Sequence, residues 1–127
     1  GSLRQASEIV ELCGPDFCLL SGDDFLTLPI LSVGGRGVIS VTANVAPARV
    51  AEMCRAFEAG ELERARRLHY ELLPLTRALF LETNPIPVKT ALGLMGRIDP
   101  ELRLPLCPMS PANRERLAEA LRRAGLL

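Results

Sequence analysis

Few side chains in this chain of 127 residues could carry covalent chemistry. Fourteen of the fifteen basic residues are arginines, so Lys89 is the single lysine, and the chain has one histidine and one tyrosine. A lysine amine attacks a carbonyl carbon when a dry pocket lowers its pKa. Lys89 instead follows the proline-rich segment 84–87 in a predicted helical region, which indicates a structural or surface role. His69 and Tyr70 are neighbours on a predicted helix, where we expect packing or surface exposure.

The four cysteines do not have the spacing of a catalytic or metal-binding set. Cys13, Cys18, Cys54 and Cys107 include no C-x-x-C pair, and three of them lie in apolar stretches. With a single histidine, the chain offers no zinc-ligand spacing either. We therefore expect buried, reduced thiols in a cytosolic protein, with no disulfide framework and no metal site.

Two apolar runs, with a helix-like segment between them, are the elements predicted to position a functional site in this chain. Residues 17–21 and 37–41 are short and apolar, like strands that a parallel sheet buries on both faces. Residues 25–33 are apolar enough to cover both strands as a helix, which predicts a right-handed βαβ unit. Asp23 and Asp24 resemble a carboxylate pair, but adjacent side chains diverge, so helix capping is the predicted role.

The segment 34–37 (GGRG) resembles a phosphate-binding loop at first sight. Phosphate loops, however, follow a strand and open a helix. This segment follows the predicted helix and precedes the second strand. The order of elements therefore predicts a tight turn between a helix and a strand.

The rest of the chain has helical patterns. An amphipathic helix is predicted over Leu3–Cys13, ended by Gly14 and Pro15. Further helices are predicted over residues 47–59, 61–81, 88–96 and 111–124, with Pro74 expected to kink or split the second of these. Residues 99–109 contain three prolines, which predicts an irregular segment across the surface.

Two parallel strands do not make a stable sheet, because both outer edges stay open. The pattern therefore predicts part of a larger α/β sheet or barrel, or a sheet that another copy of the chain completes. Hydrophobic residues make up 48% of the sequence, enough for one domain with a sizeable core.

Composition argues against several classes of partner. The formal net charge is zero and aromatic residues make up only 4%, which argues against nucleic-acid binding. No apolar run approaches about 20 residues, so no membrane span is expected. No secretory signal pattern opens the chain, and the expected location, from the cysteine usage, is cytoplasmic.

Four segments resemble the dihydrodipicolinate synthase family, in a superfamily with N-acetylneuraminate lyase. They are LLSGDD at 19–24, GGRGVISVTANVAP at 34–47, ETNPIPVKTAL at 82–92 and LRLPLCPMS at 102–110. The resemblance covers nearly the whole chain and implies a (β/α)8 TIM barrel with a C-terminal helical region. Because such barrels take about 250 residues, it implies that this chain is a C-terminal portion. Residues 1–59 would then belong to the barrel, with strands seven and eight, and residues 60–127 to the helical region.

The resemblance implies a pyruvate-dependent lyase of lysine biosynthesis. Such an enzyme condenses pyruvate with aspartate semialdehyde through a Schiff base on a lysine, and no cofactor is expected. In the family that lysine lies on strand six, just upstream of this chain. The chain is therefore expected to contain no catalytic residue and to be inactive alone.

Gly22 and Ile39 are the pyruvate-binding residues that the resemblance implies, with the Ile39 carbonyl near the Schiff-base nitrogen. Ser21 and Asp23 are weaker candidates. A plain turn glycine and a barrel-core isoleucine are the alternative interpretations of Gly22 and Ile39.

The expected protein partner is a second copy, giving a homo-oligomer, or the missing N-terminal half. Two other functions stay open. One is a non-catalytic half-barrel that self-assembles or complements another half. The other is a stand-alone regulatory domain that binds a small carboxylate.

Overall fold

The computed structural model describes all residues from 1 to 127 and contains six α-helices and one pair of short strands. The helices are α1 Leu3–Cys13, α2 Thr27–Ser32, α3 Pro47–Glu58, α4 Leu62–Leu79, α5 Ile86–Leu94 and α6 Pro111–Arg123. The strands are β1 Leu20–Ser21 and β2 Gly37–Val38, and 3₁₀ helices cover Asp24–Leu26 and Thr42–Asn44. Residues 99–109 are irregular, as predicted.

The two strands pair in parallel, with Leu20 opposite Gly37 and Ser21 opposite Val38. The strand–helix–strand order and the parallel direction confirm the prediction from the apolar runs. The predicted helix over 25–33 is present as the first 3₁₀ helix followed by α2.

Both strands are shorter than the predicted runs 17–21 and 37–41. Single hydrogen bonds extend the pairing at each end, from the Arg36 N–H to the Leu19 carbonyl and from the Ile39 N–H to the Ser21 carbonyl, both at 2.8 Å. Each strand has only one neighbour. No second ladder therefore holds the remaining apolar residues in a regular strand.

Residues 34–37 form the predicted turn between α2 and β2 and not a phosphate-binding loop. Gly34 has a φ of 102°, which glycine adopts without strain. The Gly35 N–H donates to the Ile30 carbonyl at 2.9 Å. A Cβ on Gly35 would lie only 2.8 Å from that carbonyl oxygen, so only glycine lets the chain pass so close to α2.

The long helix α4 continues through Pro74, so the alternative that this proline splits the helix is wrong. Pro74 is exposed, whereas Leu72, Leu75 and Thr76 on either side are buried. Burial of these neighbours holds both halves in one helix, although proline removes one backbone hydrogen bond.

The hydrophobic core lies among the helices, and the sheet lies at its margin. α3 packs along α4, and α6 packs against both α4 and α5. Leu79, Leu117 and Leu121 are completely buried between these helices. Leu28 and Val38 of the βαβ unit are partly buried against the same core. Ser21 at the end of β1 is buried, whereas Ile39 directly after β2 is exposed.

The prediction of buried cysteines is wrong for three of the four. Cys13, Cys18 and Cys107 are exposed, Cys54 is half-buried, and all four are free thiols. The sequence near them is apolar, but Cys13 ends a helix with a single buried residue, Ala6. Cys54 is the one cysteine that is partly buried, and burial raises the pKa of its thiol.

Candidate functional site

Gly22 and Ile39 lie side by side at the carboxyl ends of the two parallel strands. Ser21 is the last residue of β1 and pairs with Val38, the last residue of β2. The Ile39 N–H then donates to the Ser21 carbonyl at 2.8 Å. Ligands bind at the carboxyl ends of strands in parallel sheets and TIM barrels, so these two residues occupy the edge at which such a site forms.

Both residues are open to approach. A Cβ on Gly22 would meet no heavy atom within 4 Å, and Ile39 is 73% exposed. The Ile39 carbonyl accepts no hydrogen bond from another protein group. A cleft of about 410 Å³ adjoins Gly22 and Asp23, with Phe25 on its wall, but Ile39 does not line it. The structure thus brings the two candidates together on one edge and not in one enclosed cavity.

Ser21 shapes the turn at Gly22. Its side chain is buried, and its hydroxyl donates to the Asp23 carbonyl at 2.8 Å and accepts from the Asp23 N–H at 3.2 Å. These two bonds close a short turn around Gly22. Ser21 therefore contributes the geometry of the turn, with its hydroxyl already satisfied.

Asp23 has the capping role that its position predicts. It precedes the first 3₁₀ helix, and its carboxylate accepts the Phe25 N–H at 2.9 Å. A carboxylate in this position satisfies an N–H that has no partner within the helix.

Asp24 has a role that the sequence did not predict. Its carboxylate reaches the loop after β2, where one oxygen accepts the Ser40 hydroxyl in a short hydrogen bond. The other oxygen accepts the N–H groups of Val41 at 2.9 Å and Thr42 at 3.4 Å. The only sequence signal is an acidic residue after the first strand and a Ser-x-Thr segment after the second. That signal is too weak to predict a contact across 16 to 18 residues.

The region behind these loops has no room for a ligand. Thr42 and Thr76 share a hydrogen bond of 3.0 Å between buried hydroxyls. The cavity beside them, which Asp24 and His69 also line, measures about 10 Å³. Burial lowers the pKa of His69, which favours the neutral imidazole at neutral pH.

Lys89 lies on α5, in the helical part of the chain, and its ammonium donates to the Glu101 carbonyl. It therefore fastens the irregular segment to α5, as expected for a structural lysine. Tyr70 is 64% exposed and its ring meets that of His69 edge-on at 5.4 Å. The expected packing and surface roles of His69 and Tyr70 are confirmed.

No group of three or more His, Cys, Asp or Glu side chains is placed to hold a metal ion. None of the helices combines the length and the apolar character that a membrane crossing requires.

A family model described as the dihydrodipicolinate synthetase family matches residues 1–124. The chain belongs to this family. It is 67% identical over 127 residues to the 4-hydroxy-tetrahydrodipicolinate synthase of Nitratidesulfovibrio vulgaris strain DP4, and the match covers 100% of this chain and 44% of that relative. The chain thus spans less than half the length of the curated relatives it matches, and it corresponds to their C-terminal part.

Solved dihydrodipicolinate synthases have the same fold over this length. The Aquifex aeolicus structure superposes with a TM-score of 0.96 at 50% identity, covering 98% of this chain and 43% of that one. The Acinetobacter baumannii structure, chloride-inhibited and complexed with pyruvate, gives 0.93 at 37% identity, covering 99% and 43%. These family members are TIM barrels. The predicted fold class is therefore confirmed, as the C-terminal part of a (β/α)8 barrel with a helical region.

Proposed function

We propose that this chain forms the C-terminal portion of a pyruvate-dependent Schiff-base lyase, a 4-hydroxy-tetrahydrodipicolinate synthase. The complete protein would condense pyruvate with aspartate semialdehyde in the cytoplasm, in lysine biosynthesis, and use no cofactor. The observation that carries the proposal is the position of Gly22 and Ile39, which directly follow the paired residues Ser21 and Val38 at the carboxyl edge of two parallel strands. A family member that superposes closely on this chain is complexed with pyruvate, which supports pyruvate as the substrate.

In this proposal Gly22 and Ile39 are pyruvate-binding residues and supply one wall of the pocket. A lysine amine attacks the ketone carbon of pyruvate, and loss of water leaves a protonated imine. The Ile39 carbonyl, which has no partner in the protein, would accept the hydrogen bond from that imine nitrogen. Gly22 would leave space for the substrate, because nothing lies within 4 Å of its open side.

The chain by itself is proposed to be inactive. Its single lysine lies on a helix and is bonded to the Glu101 carbonyl, so no lysine amine stands at the end of either strand. We also propose the division that the family resemblance implies, with residues 1–59 completing a barrel and residues 60–127 packing as a helical region.

Trapping with borohydride tests this proposal. Borohydride delivers hydride to the imine carbon and converts a pyruvate Schiff base into a stable secondary amine. We expect no labelled pyruvate on this chain, whereas the full-length Nitratidesulfovibrio vulgaris relative should be labelled under the same conditions. Labelling of Lys89 in this chain, found by peptide mapping, would contradict the proposal, and Lys89→Arg would provide the matched control.

A second candidate function is a non-catalytic half-barrel that pairs with another copy or with a separate N-terminal half. The observation in its favour is apolar exposure beside the open strands, where Phe17, Leu20 and Ile39 are 47%, 43% and 73% exposed. Burial of such side chains would stabilise an assembly by roughly 25 cal/mol per Å² of apolar surface removed from water.

Sedimentation velocity distinguishes a self-assembled half-barrel from a monomer. Self-assembly predicts a dimer or larger species at micromolar concentration, and a Leu20→Lys variant should shift it toward the monomer by placing a charge on the open edge. A well-folded monomer over the same concentrations would rule out the self-assembling form.

A further inference from the structure

One carboxylate joins the loop after β1 to the loop after β2. Asp24 accepts hydrogen bonds from the Ser40 hydroxyl and from the N–H groups of Val41 and Thr42. The Ser40 hydroxyl in turn accepts the Ala43 N–H at 2.8 Å. No other side chain of these two loops bonds across them. Charge-assisted bonds of this kind are about twice as strong as neutral ones.

These bonds hold the backbone immediately after Ile39. On one side, the Ile39 N–H is fixed to the Ser21 carbonyl at 2.8 Å. On the other side, Asp24 holds the next three residues. The Ile39 carbonyl has no bond of its own within the protein, so its direction is set by the groups that flank it.

The Gly22 side of the edge is connected to Asp24 through the adjacent backbone. The Ser21 hydroxyl closes the turn around Gly22, and Asp23 caps the 3₁₀ helix that begins with Asp24. Only one residue, Asp23, separates Gly22 from Asp24. A displacement of the second loop relative to Gly22 must therefore break bonds to Asp24.

We propose that Asp24 is a positioning residue, which holds the Ile39 carbonyl at a fixed distance and direction from Gly22. This inference rests on the proposed function, in which that carbonyl meets the imine nitrogen of bound pyruvate. Asp24 itself does not touch the substrate. Its carboxylate suits the task because both oxygens accept, and the three donors are two N–H groups and one hydroxyl.

Hydrogen exchange on the present chain tests the coupling without any activity. Asp24→Ala should accelerate exchange of the Val41 and Thr42 amides and also of the Ile39 amide, which Asp24 does not touch. Asp24→Asn keeps one acceptor oxygen and should give a smaller effect. Faster exchange at Val41 and Thr42 with unchanged exchange at Ile39 would contradict the proposal. It would show that Asp24 caps the 3₁₀ helix Thr42–Asn44 without positioning the Ile39 carbonyl.

The link to pyruvate is tested in a chimaera, with the N-terminal part of the Nitratidesulfovibrio vulgaris relative fused ahead of this complete chain. Asp24→Ala should raise the pyruvate concentration for half-maximal borohydride trapping by about tenfold or more. Asp24→Asn should recover part of that loss. The control Asp99→Ala removes a carboxylate that bonds only the Glu101 N–H, far along the chain in the irregular segment, and should leave trapping unchanged.

The outcomes distinguish the inference from the function on which it rests. If the unsubstituted chimaera folds and traps no pyruvate, the proposed function fails, and the exchange result alone decides whether Asp24 positions Ile39. If the chimaera traps pyruvate and Asp24→Ala traps it with the same half-maximal concentration, the function stands and the positioning role is wrong. A milder variant, Ser40→Ala, removes one of the three bonds and covers the case in which Asp24→Ala does not fold.

Discussion

Two threonine hydroxyls connect the loop after β2 to the last turn of α4. Thr42 and Thr76 are 1% and 3% exposed, and their oxygens lie 3.0 Å apart. A buried hydroxyl that loses its partner costs the free energy of its desolvation, whereas two apolar replacements leave nothing unsatisfied.

Thr76→Val should therefore lower the free energy of unfolding by about 1–3 kcal/mol, because it leaves the Thr42 hydroxyl unpaired. The double variant Thr42→Val/Thr76→Val should be more stable than the sum of the single changes predicts. Urea denaturation of the four proteins, followed by circular dichroism, measures this coupling. Strict additivity would show that the two hydroxyls do not interact in solution.

The Glu82 carboxylate likewise connects two distant segments, because it accepts hydrogen bonds from residues at the start of α6. One of its oxygens accepts the Ser110 hydroxyl at 2.7 Å, the Ser110 N–H at 3.1 Å and the Asn113 amide at 2.8 Å. The hydrogen bond from Asn113 contributes most to lowering the pKa of the Glu82 carboxyl, followed by that from the Ser110 hydroxyl.

A lowered pKa in the folded state means that the ionised carboxylate stabilises the fold. That contribution is complete above the unfolded value of about 4.3 and is lost as the pH falls through the lower folded value. Glu82→Gln should reduce stability at pH 7 and weaken the dependence of stability on pH in the acid range. Glu101→Gln is the matched control, since the Glu101 carboxylate makes no hydrogen bond. Equal behaviour of the two variants in pH-dependent urea titrations would contradict the prediction.

At the scale of elements, the turn from α2 into β2 sets the distance between helix and strand. Gly35 approaches the Ile30 backbone so closely that a Cβ would lie 2.8 Å from the carbonyl oxygen and 2.5 Å from the Ile30 side chain. The carbonyl belongs to the backbone and cannot move aside without displacing α2.

Gly35→Ala should therefore destabilise the fold by about 1–3 kcal/mol, the range for an overpacked site. Gly22→Ala is the matched control for stability, because its Cβ would meet no atom within 4 Å and its φ is not positive. Thermal unfolding of both variants provides the measurement. A Gly35→Ala protein as stable as Gly22→Ala would mean that the turn relaxes freely.

At the scale of the molecule, the chain depends on one core shared by four helices. The core cluster extends from Val45 to Leu121 and includes residues of α3, α4, α5 and α6. Elements that share a core unfold together in small domains. The short sheet adds few buried residues, so it is the helices that provide most of the stability.

Leu121→Ala should lower the free energy of unfolding by about 2–5 kcal/mol, the range for a buried leucine. The loss should appear in the hydrogen exchange of α3 as well as α6, because the core is continuous. Leu104→Ala, at a position that is 91% exposed, should leave exchange unchanged. Destabilisation confined to α6 would indicate that the helical part unfolds in independent units.

Local pattern was enough to predict several elements. Amphipathic spacing and the cap at Gly14 placed α1 at residues 3–13, where the structure has it. The order of helix, glycines and apolar run identified the turn at Gly35 as a helix-to-strand connection. Four segments of sequence were enough to identify the family, since their order and spacing are specific to it.

Features that depend on distant residues could not be predicted in this way. Nothing local shows that three of the four cysteines lie at the surface, or that α4 passes through Pro74 unbroken. Both depend on which face of each segment meets the core. The strands were predicted too long because their regular length depends on neighbouring strands, and each has only one.

The sequence by itself determined the family, the order of elements and the two candidate residues, Gly22 and Ile39, because these depend on motifs and spacing along the chain. Only the tertiary structure decided that Asp24 faces the loop after β2 and that Glu82 meets the start of α6. Those contacts join residues 16 to 18 and 28 to 31 positions apart. Hydrogen bonds over such separations form only when packed helices and paired strands bring the segments together, and no local pattern specifies that meeting.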